Sequence, residues 1–136
     1  MDLMKSLRIS AAGLSAQSTR LRVIAENLAN AESVAQTPGG EPYRRKVVTF
    51  ANALDRQLGA QTVRVSRVAP GPGDLERRYD PSHPGADQDG YVMMPNVNPL
   101  IELSDMREAQ RTYQANLSVI DAAKTMIGRT IDLLQG

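Results

Sequence analysis

The chain lacks cysteine and tryptophan altogether and has a single histidine, His83, among its 136 residues. Without cysteine, disulfide bonds, thiolate zinc ligands and cysteine nucleophiles are excluded. His83 lies between Pro81 and Pro84 in an apparent loop, and no serine occurs in a nucleophile-elbow setting. Since nucleophilic and acid–base catalysis need paired groups, the sequence predicts no enzyme, no catalytic residue and no cofactor.

Aromatic residues are also scarce, with one Phe and four Tyr, whereas Ala, Leu, Val and Ile are abundant. A globular core normally draws much of its buried area from aromatic rings. Their shortage favours helix packed on helix.

The chain also has no large excess of charge of either sign, because its 16 Lys and Arg residues are balanced by 15 Asp and Glu residues. This balance gives no electrostatic footprint for nucleic acid. The one basic cluster, residues 44–46, is interpreted as a strand start or a subunit contact rather than a phosphate site. Asp87 and Asp89 fail as a calcium loop, because Gly90 and Asn98 fall at the fourth and twelfth positions. No metal site is predicted.

Long apolar runs are absent, so no transmembrane segment is predicted. The first eight residues are interrupted by charges, and no apolar stretch typical of a secretory signal peptide follows them. If the protein acts outside the cytoplasm, we expect another export route.

Proline divides the chain into three zones, because all eight prolines lie within residues 31–99. Proline and glycine are costly inside helices. The fold class predicted is therefore mainly α, with long N- and C-terminal helices paired as a coiled coil and a β/loop-rich middle. The predicted segments are 1–30, 31–99 and 100–136, with the two termini forming one helical core domain.

The N-terminal segment has a seven-residue period typical of a coiled-coil stripe. Its seam is predicted at Leu7, Leu14, Leu21 and Leu28. A second row, offset from the first, consists of Met4, Ala11, Ser18 and Ala25.

The C-terminal segment steps regularly by three and four residues, after Asn98 as N-cap and Pro99 in the first turn. Two seam positions are polar, Gln110 and Lys124, and Ala109 and Ala123 fall outside the seam. Its apolar seam is predicted at Leu103, Met106, Tyr113, Leu117, Ile120, Ile127, Ile131 and Leu134. We expect the two stripes to pack together and the remaining apolar surface to meet neighbouring subunits.

Short strands are predicted in the middle zone. Residues 43–50 are rich in β-branched side chains, and residues 62–68 alternate between apolar and polar. The Asp89-Gly90 pair indicates a turn before a return strand at residues 91–94.

Several motifs resemble those of the flagellar axial rod and hook proteins. Residues 10–33 resemble the family's N-terminal signature, which ends here with Asn27-Leu28-Ala29-Asn30-Ala31. Residues 110–117 resemble its C-terminal Arg-x-Tyr-Gln-x-Asn box, with Tyr113 and Asn116. Residues 79–98 are similar to the middle of short proximal rod subunits, and two small departures occur at Ser33 and Pro99.

The two asparagines of the first motif, Asn27 and Asn30, allow two interpretations. They are either helix caps, or their side chains satisfy backbone groups where the helix turns into an extended segment.

The resemblance implies a structural subunit of the proximal rod, which polymerises through its terminal helices into the torque-transmitting drive shaft. It implies as partners the protein itself, other proximal and distal rod proteins, the rod-to-ring adaptor FliE and the flagellar type III export apparatus. It also implies a periplasmic position in the basal body, reached without a cleaved signal peptide. The alternatives are another rod protein of the same family, a soluble coiled-coil adaptor or secretion chaperone, and a small hydrolase or metal-binding enzyme.

Overall fold

The computed structural model describes residues 2–136 and has two long terminal helices with two small sheets between them. The predicted arrangement of terminal helices around a β-rich middle is therefore confirmed. In chain order the elements are α1 Leu3–Ala29, β1 Lys46–Asp55, β2 Ala60–Pro70, β3 Glu76–Tyr79, β4 Tyr91–Met94 and α2 Pro99–Gln135.

The chain divides into two compact units. The first comprises the chain up to Leu21, together with Val48–Arg67 and Arg107–Gly136. The second comprises Arg22–Val47 and Val68–Met106. The three-segment domain division read from the sequence stays a prediction.

Each helix begins at a capped N-terminus. The Asp2 carboxylate accepts a hydrogen bond from the Met4 N–H at 2.6 Å, which satisfies one of the free donors of the first turn of α1. At the start of α2 the Asn98 side chain accepts one from the Leu100 N–H at 3.0 Å, and Pro99 has no N–H to satisfy. Asn98 is the N-cap that the sequence predicts.

The buried face of α1 is built from small and polar residues as much as from aliphatic ones. Its fully buried members are Ser10, Gly13, Ala16, Val23, Ile24 and Asn27. The leucines of the predicted seam, Leu7, Leu14, Leu21 and Leu28, are only half-buried. The row buried within this chain is thus offset from the row that hydrophobicity selects, because small side chains let the backbone approach its neighbours closely.

The buried row of α2 lies one residue before the predicted seam at three points. Glu102, Ala109 and Ala123 are buried, whereas Leu103, Gln110 and Lys124 beside them are exposed. The two alanines that the sequence analysis placed outside the seam are thus residues that α2 buries within the chain, and the seam itself stays a prediction. Of the other predicted seam residues, Met106, Tyr113, Leu117, Ile120 and Ile127 are half-buried, and Ile131 and Leu134 are exposed.

Strands β3 and β4 pair antiparallel, with Tyr79 opposite Tyr91 and Arg78 opposite the buried Val92. The two tyrosine rings meet edge to face at 5.3 Å between centroids. The Arg77 guanidinium lies 4.4 Å from the Tyr91 ring centroid, a cation–π contact. The return strand at residues 91–94 is confirmed. Strand β3 was not predicted, because its charged sequence shows no apolar alternation.

The loop between these strands is organised by Asp87. Its Oδ1 accepts hydrogen bonds from the N–H groups of Asp89 and Tyr91, both at 2.9 Å, and its Oδ2 lies 3.2 Å from Nη2 of Arg77. These donors, the Tyr91 N–H foremost, lower the pKa of Asp87. Gly90 takes a φ of 85°, which a glycine adopts without strain. The predicted Asp89-Gly90 turn is confirmed.

Between Asp2 and Gly136, neither helix combines the length and the apolar character that crossing a membrane requires.

We predict that Asp87→Asn makes the protein less stable at neutral pH and removes part of its acid sensitivity. The folded state lowers the pKa of this carboxyl below its ordinary value of 3.8. The stabilisation is therefore present above 3.8 and is lost as pH falls through the lower folded-state pKa. Urea denaturation at a series of pH values should show a gap between variant and wild type that closes in acid. Asp89→Asn, which removes a charge from the same turn but no contact with Arg77, should cost less stability at neutral pH than Asp87→Asn; a gap between Asp87→Asn and wild type that persists in acid would contradict the assignment.

Candidate functional site: contacts made by the sequence motifs

Asn27 fixes the extended chain that follows α1. Its side-chain Oδ1 accepts a hydrogen bond from the Lys46 N–H at 2.9 Å, and its Nδ2 donates to the Lys46 carbonyl oxygen at 3.0 Å. One amide thus satisfies both backbone groups of Lys46, as a neighbouring strand would do. Asn27 is almost fully buried, so water does not compete for these bonds.

Asn30 ends the helix. Its Nδ2 donates to the Glu26 carbonyl oxygen at 2.8 Å, which also accepts from the Asn30 backbone N–H at 3.0 Å, and its Oδ1 accepts from the Ser33 hydroxyl at 3.0 Å. Each interpretation of the motif therefore applies to one of its asparagines. Asn30 is the helix cap, and Asn27 satisfies backbone groups of the extended segment.

Tyr43 adds a third partner to Asn27. Its hydroxyl donates to Asn27 Oδ1 at 2.7 Å. Burial, reinforced by the negative charges of Glu26 and Glu102, raises the pKa of Tyr43 and keeps the hydroxyl a donor. Lys46 Nζ lies 3.3 Å from Glu26 Oε2, and this hydrogen bond is the main cause of the lowered pKa of Glu26.

Arg45 joins the same extended segment to α2. Its Nε hydrogen-bonds Oε1 of Glu102, and its Nη2 lies 3.3 Å from Asp105 Oδ2. The Glu102 side chain is fully buried, and its second oxygen, Oε2, has no hydrogen-bond partner among the described residues. A buried carboxylate of this kind is tolerated only with a paired cation, so Glu102 depends on Arg45.

The backbone of Arg45 is held as well. Its N–H donates to Asn96 Oδ1 at 2.7 Å, and its carbonyl accepts from the Gly71 N–H at 2.8 Å. A Cβ on Gly71 would stand 2.5 Å from Cγ2 of Val47, so only glycine allows this approach. The basic cluster read from the sequence therefore makes contacts inside the chain through Arg45 and Lys46.

In the first unit, Gly13 and Asn116 join the two family motifs. A Cβ built on Gly13 would stand 2.7 Å from Asn116 Nδ2 and 2.9 Å from its Cγ, so the amide occupies the space that the missing side chain leaves. The same amide donates to the Thr112 carbonyl oxygen at 3.1 Å, which fixes its orientation. The N-terminal signature and the C-terminal box are thus in van der Waals contact.

A second contact gives the helix direction. Arg20 Nη2 lies 3.5 Å from Glu108 Oε2. Moving from Gly13 to Arg20 along α1 corresponds to moving backwards from Asn116 to Glu108 along α2. Within this unit the helices therefore run antiparallel.

Of the predicted site residues, the structure brings together Asn27 and Asn30 at the end of α1, and Asn116 with the first helix. Tyr113 is half-buried. Sequence reasoning missed Arg45, Glu102 and Gly13 as contact residues. The only signals were a charged residue inside an apolar period and a glycine inside a helix.

Among residues 2–136 there is no group of three or more metal-ligating side chains.

We predict that Gly13→Ala destabilises the protein by about 1–3 kcal/mol, because the new methyl group would overlap the Asn116 amide. Gly128→Ala in α2 is the matched control. Nothing lies within 4 Å of its Cβ position, and it should stabilise by about 0.5–1 kcal/mol through helix propensity. Chemical denaturation measures both, and two stabilising substitutions would refute the close contact.

Arg45→Met should cost about 3–5 kcal/mol, because it leaves the buried Glu102 carboxylate without its cation. The double variant Arg45→Met/Glu102→Met should regain much of the loss, since no charge then remains buried. Arg78→Met removes a pair with Glu32 in which both side chains are largely exposed, and it should change stability little. Denaturation measures the free energy of unfolding of each variant. Equal losses in Arg45→Met and Arg78→Met would show that the Arg45–Glu102 pair does not stabilise the fold.

Two family models match the segments that carry these contacts. The model described as "Flagella basal body rod protein" matches residues 7–34, which include Gly13 and Asn27. The model described as "Flagellar basal body rod FlgEFG protein C-terminal" matches residues 88–133, which include Glu102 and Asn116.

Curated relatives match over almost their whole length, and each carries the name Flagellar basal-body rod protein FlgC. The protein of Agrobacterium fabrum is 52% identical over 94% of this chain and 92% of its own length. That of Salmonella typhimurium is 42% identical over 99% and 100%, and that of Borreliella burgdorferi 38% identical over 100% of both. The chain therefore belongs to the FlgC family of flagellar basal-body rod proteins and is a structural subunit of the rod.

Proposed function

We propose that the chain is a subunit of the proximal rod and polymerises through its terminal helices into the shaft that transmits torque. The observation that supports this is the apolar surface that the chain leaves uncovered on the predicted seam of α2. Leu103, Ile131 and Leu134 are exposed, whereas the seam residues of α1, Leu7, Leu14, Leu21 and Leu28, are half-buried.

Exposed apolar side chains favour association. Each square ångström of apolar surface removed from water contributes about 25 cal/mol, so a row of such side chains shared among neighbours supplies a substantial driving force. Monomeric proteins seldom leave long apolar rows uncovered.

Coiled-coil pairing of the two helices is part of the proposal. The spacing of three and four residues on α2 and the antiparallel contacts at Gly13 and Arg20 support it. On this view the terminal helices form the core of the polymer, and residues 31–99 lie outside that core.

The partners we propose are copies of the chain, other proximal and distal rod proteins and the rod-to-ring adaptor FliE. We further propose delivery by the flagellar type III export apparatus to the periplasm without a cleaved signal peptide. The names of the relatives support the basal-body location.

The proposed role is structural and not catalytic. The family is one of rod proteins, and the motif residues are occupied with backbone and helix contacts rather than aimed at an open cleft.

We predict that Leu117→Asp or Ile120→Asp abolishes swimming while export continues. Both side chains are half-buried on the predicted seam, where a carboxylate cannot be desolvated without a partner. Motility-agar assays and immunoblots of exported protein measure the two effects.

Ser118→Asp is the matched control, because it adds the same charge on the exposed side of α2 between the two seam positions. It should swim normally. Circular dichroism of each purified variant separates loss of assembly from loss of folding, and normal swimming by both seam variants would refute the seam assignment.

A further inference from the structure

Helix α2 extends past the start of α1 within the first unit. The contacts Gly13–Asn116 and Arg20–Glu108 fix an antiparallel register. Both helices rise by the same distance per residue. In this register the residue of α2 that lies opposite Leu3, the first residue of α1, is therefore roughly Met126. Residues 127–135 of α2 then have no part of α1 opposite them.

Exposure along α2 agrees with this register. Ile120 and Ile127 are still half-buried, whereas every residue from 128 onward is exposed. The exposed fraction reaches 47% for Ile131 and 84% for Leu134. We call residues 127–135 the overhang.

The apolar stripe of α2 continues beyond the residues that lie opposite α1. Ile120 and Ile127 lie seven residues apart, and Ile131 and Leu134 follow at intervals of four and three. The overhang thus carries the same spacing as the part of α2 that α1 accompanies. A stripe with this spacing fits the interlocking side chains of another helix better than a flat surface or a strand.

We propose that the overhang is an open half of a helix pair, completed in the rod by an apolar-striped helix of another rod subunit lying in line with α1. The inference rests on the proposed assembly through the terminal helices and names the segment where one subunit receives another. Continuity with the α1–α2 contact is the observation that selects a helix as the occupant.

A lipid surface fits the overhang less well. Helices that lie on membranes carry several Lys or Arg residues on their polar face. The overhang has one basic residue, Arg129, balanced by Asp132.

Two adjacent leucines provide the test. Leu133 and Leu134 are equally exposed, at 83% and 84%, but only Leu134 continues the stripe, since Leu133 points about 100° away around the helix. Full-length Leu134→Asp, Leu133→Asp and Ile131→Asp are each expressed in a strain lacking the wild-type gene. Exported protein, protein in purified basal bodies and the melting temperature of the isolated protein are measured for each.

The expected result is that Leu134→Asp and Ile131→Asp are exported and melt like wild type, but their amount in basal bodies falls by roughly tenfold or more. Leu133→Asp should be incorporated normally. Three results would overturn the proposal: normal incorporation of Leu134→Asp, an equal loss with Leu133→Asp, or a lowered melting temperature, which would mean that the chain covers the stripe itself. Absence of wild-type protein from basal bodies would instead refute the proposed function.

Discussion

The two hydrogen bonds between the Asn27 amide and the backbone of Lys46 are the interaction on which the second unit depends. Lys46 is the first residue of β1, and leaving its N–H and C=O groups unpaired beside the helix would cost stability. Asn27 supplies both partners from a helix, and Arg45, one residue earlier, meets Glu102 on α2. The segment is thereby held by polar contacts at two consecutive residues rather than by an apolar core.

This reliance on polar contacts explains what the helices bury. Among the described residues only six apolar side chains other than proline are buried, three of them alanine, whereas fourteen large apolar side chains are exposed. Ser10, Asn27 and Glu102 occupy positions that a globular protein would give to leucine. Close approach at small residues, such as Gly13 against Asn116, replaces part of the contact area that larger side chains would provide.

The sequence predicted the features that local chemistry determines. The proline-free termini, the Asn98 cap and the Asp89-Gly90 turn follow from backbone preferences, which act within a few residues. Strand β3 escaped prediction because its partner β4, and not its own composition, makes it a strand. The row that α2 buries lies one residue before the predicted seam at three points, because a heptad count rewards large apolar side chains. A paired carboxylate such as Glu102 becomes an interior residue only through Arg45, fifty-seven positions away.

The same offset between the buried row and the predicted seam bears on assembly. A heptad assignment that maximises hydrophobicity selects the helix surface whose burial is most favourable in free energy. It does so whether the same chain or a neighbouring subunit covers that surface. On α2 that surface includes Leu103, Ile131 and Leu134, which the chain leaves exposed, whereas the residues it buries are Glu102 and two alanines. The hydrophobic period therefore marks apolar surface that the chain leaves uncovered better than it marks the row that the chain buries. In the proposed assembly this arrangement is advantageous, because the apolar side chains that the chain itself leaves exposed remain available for neighbouring subunits.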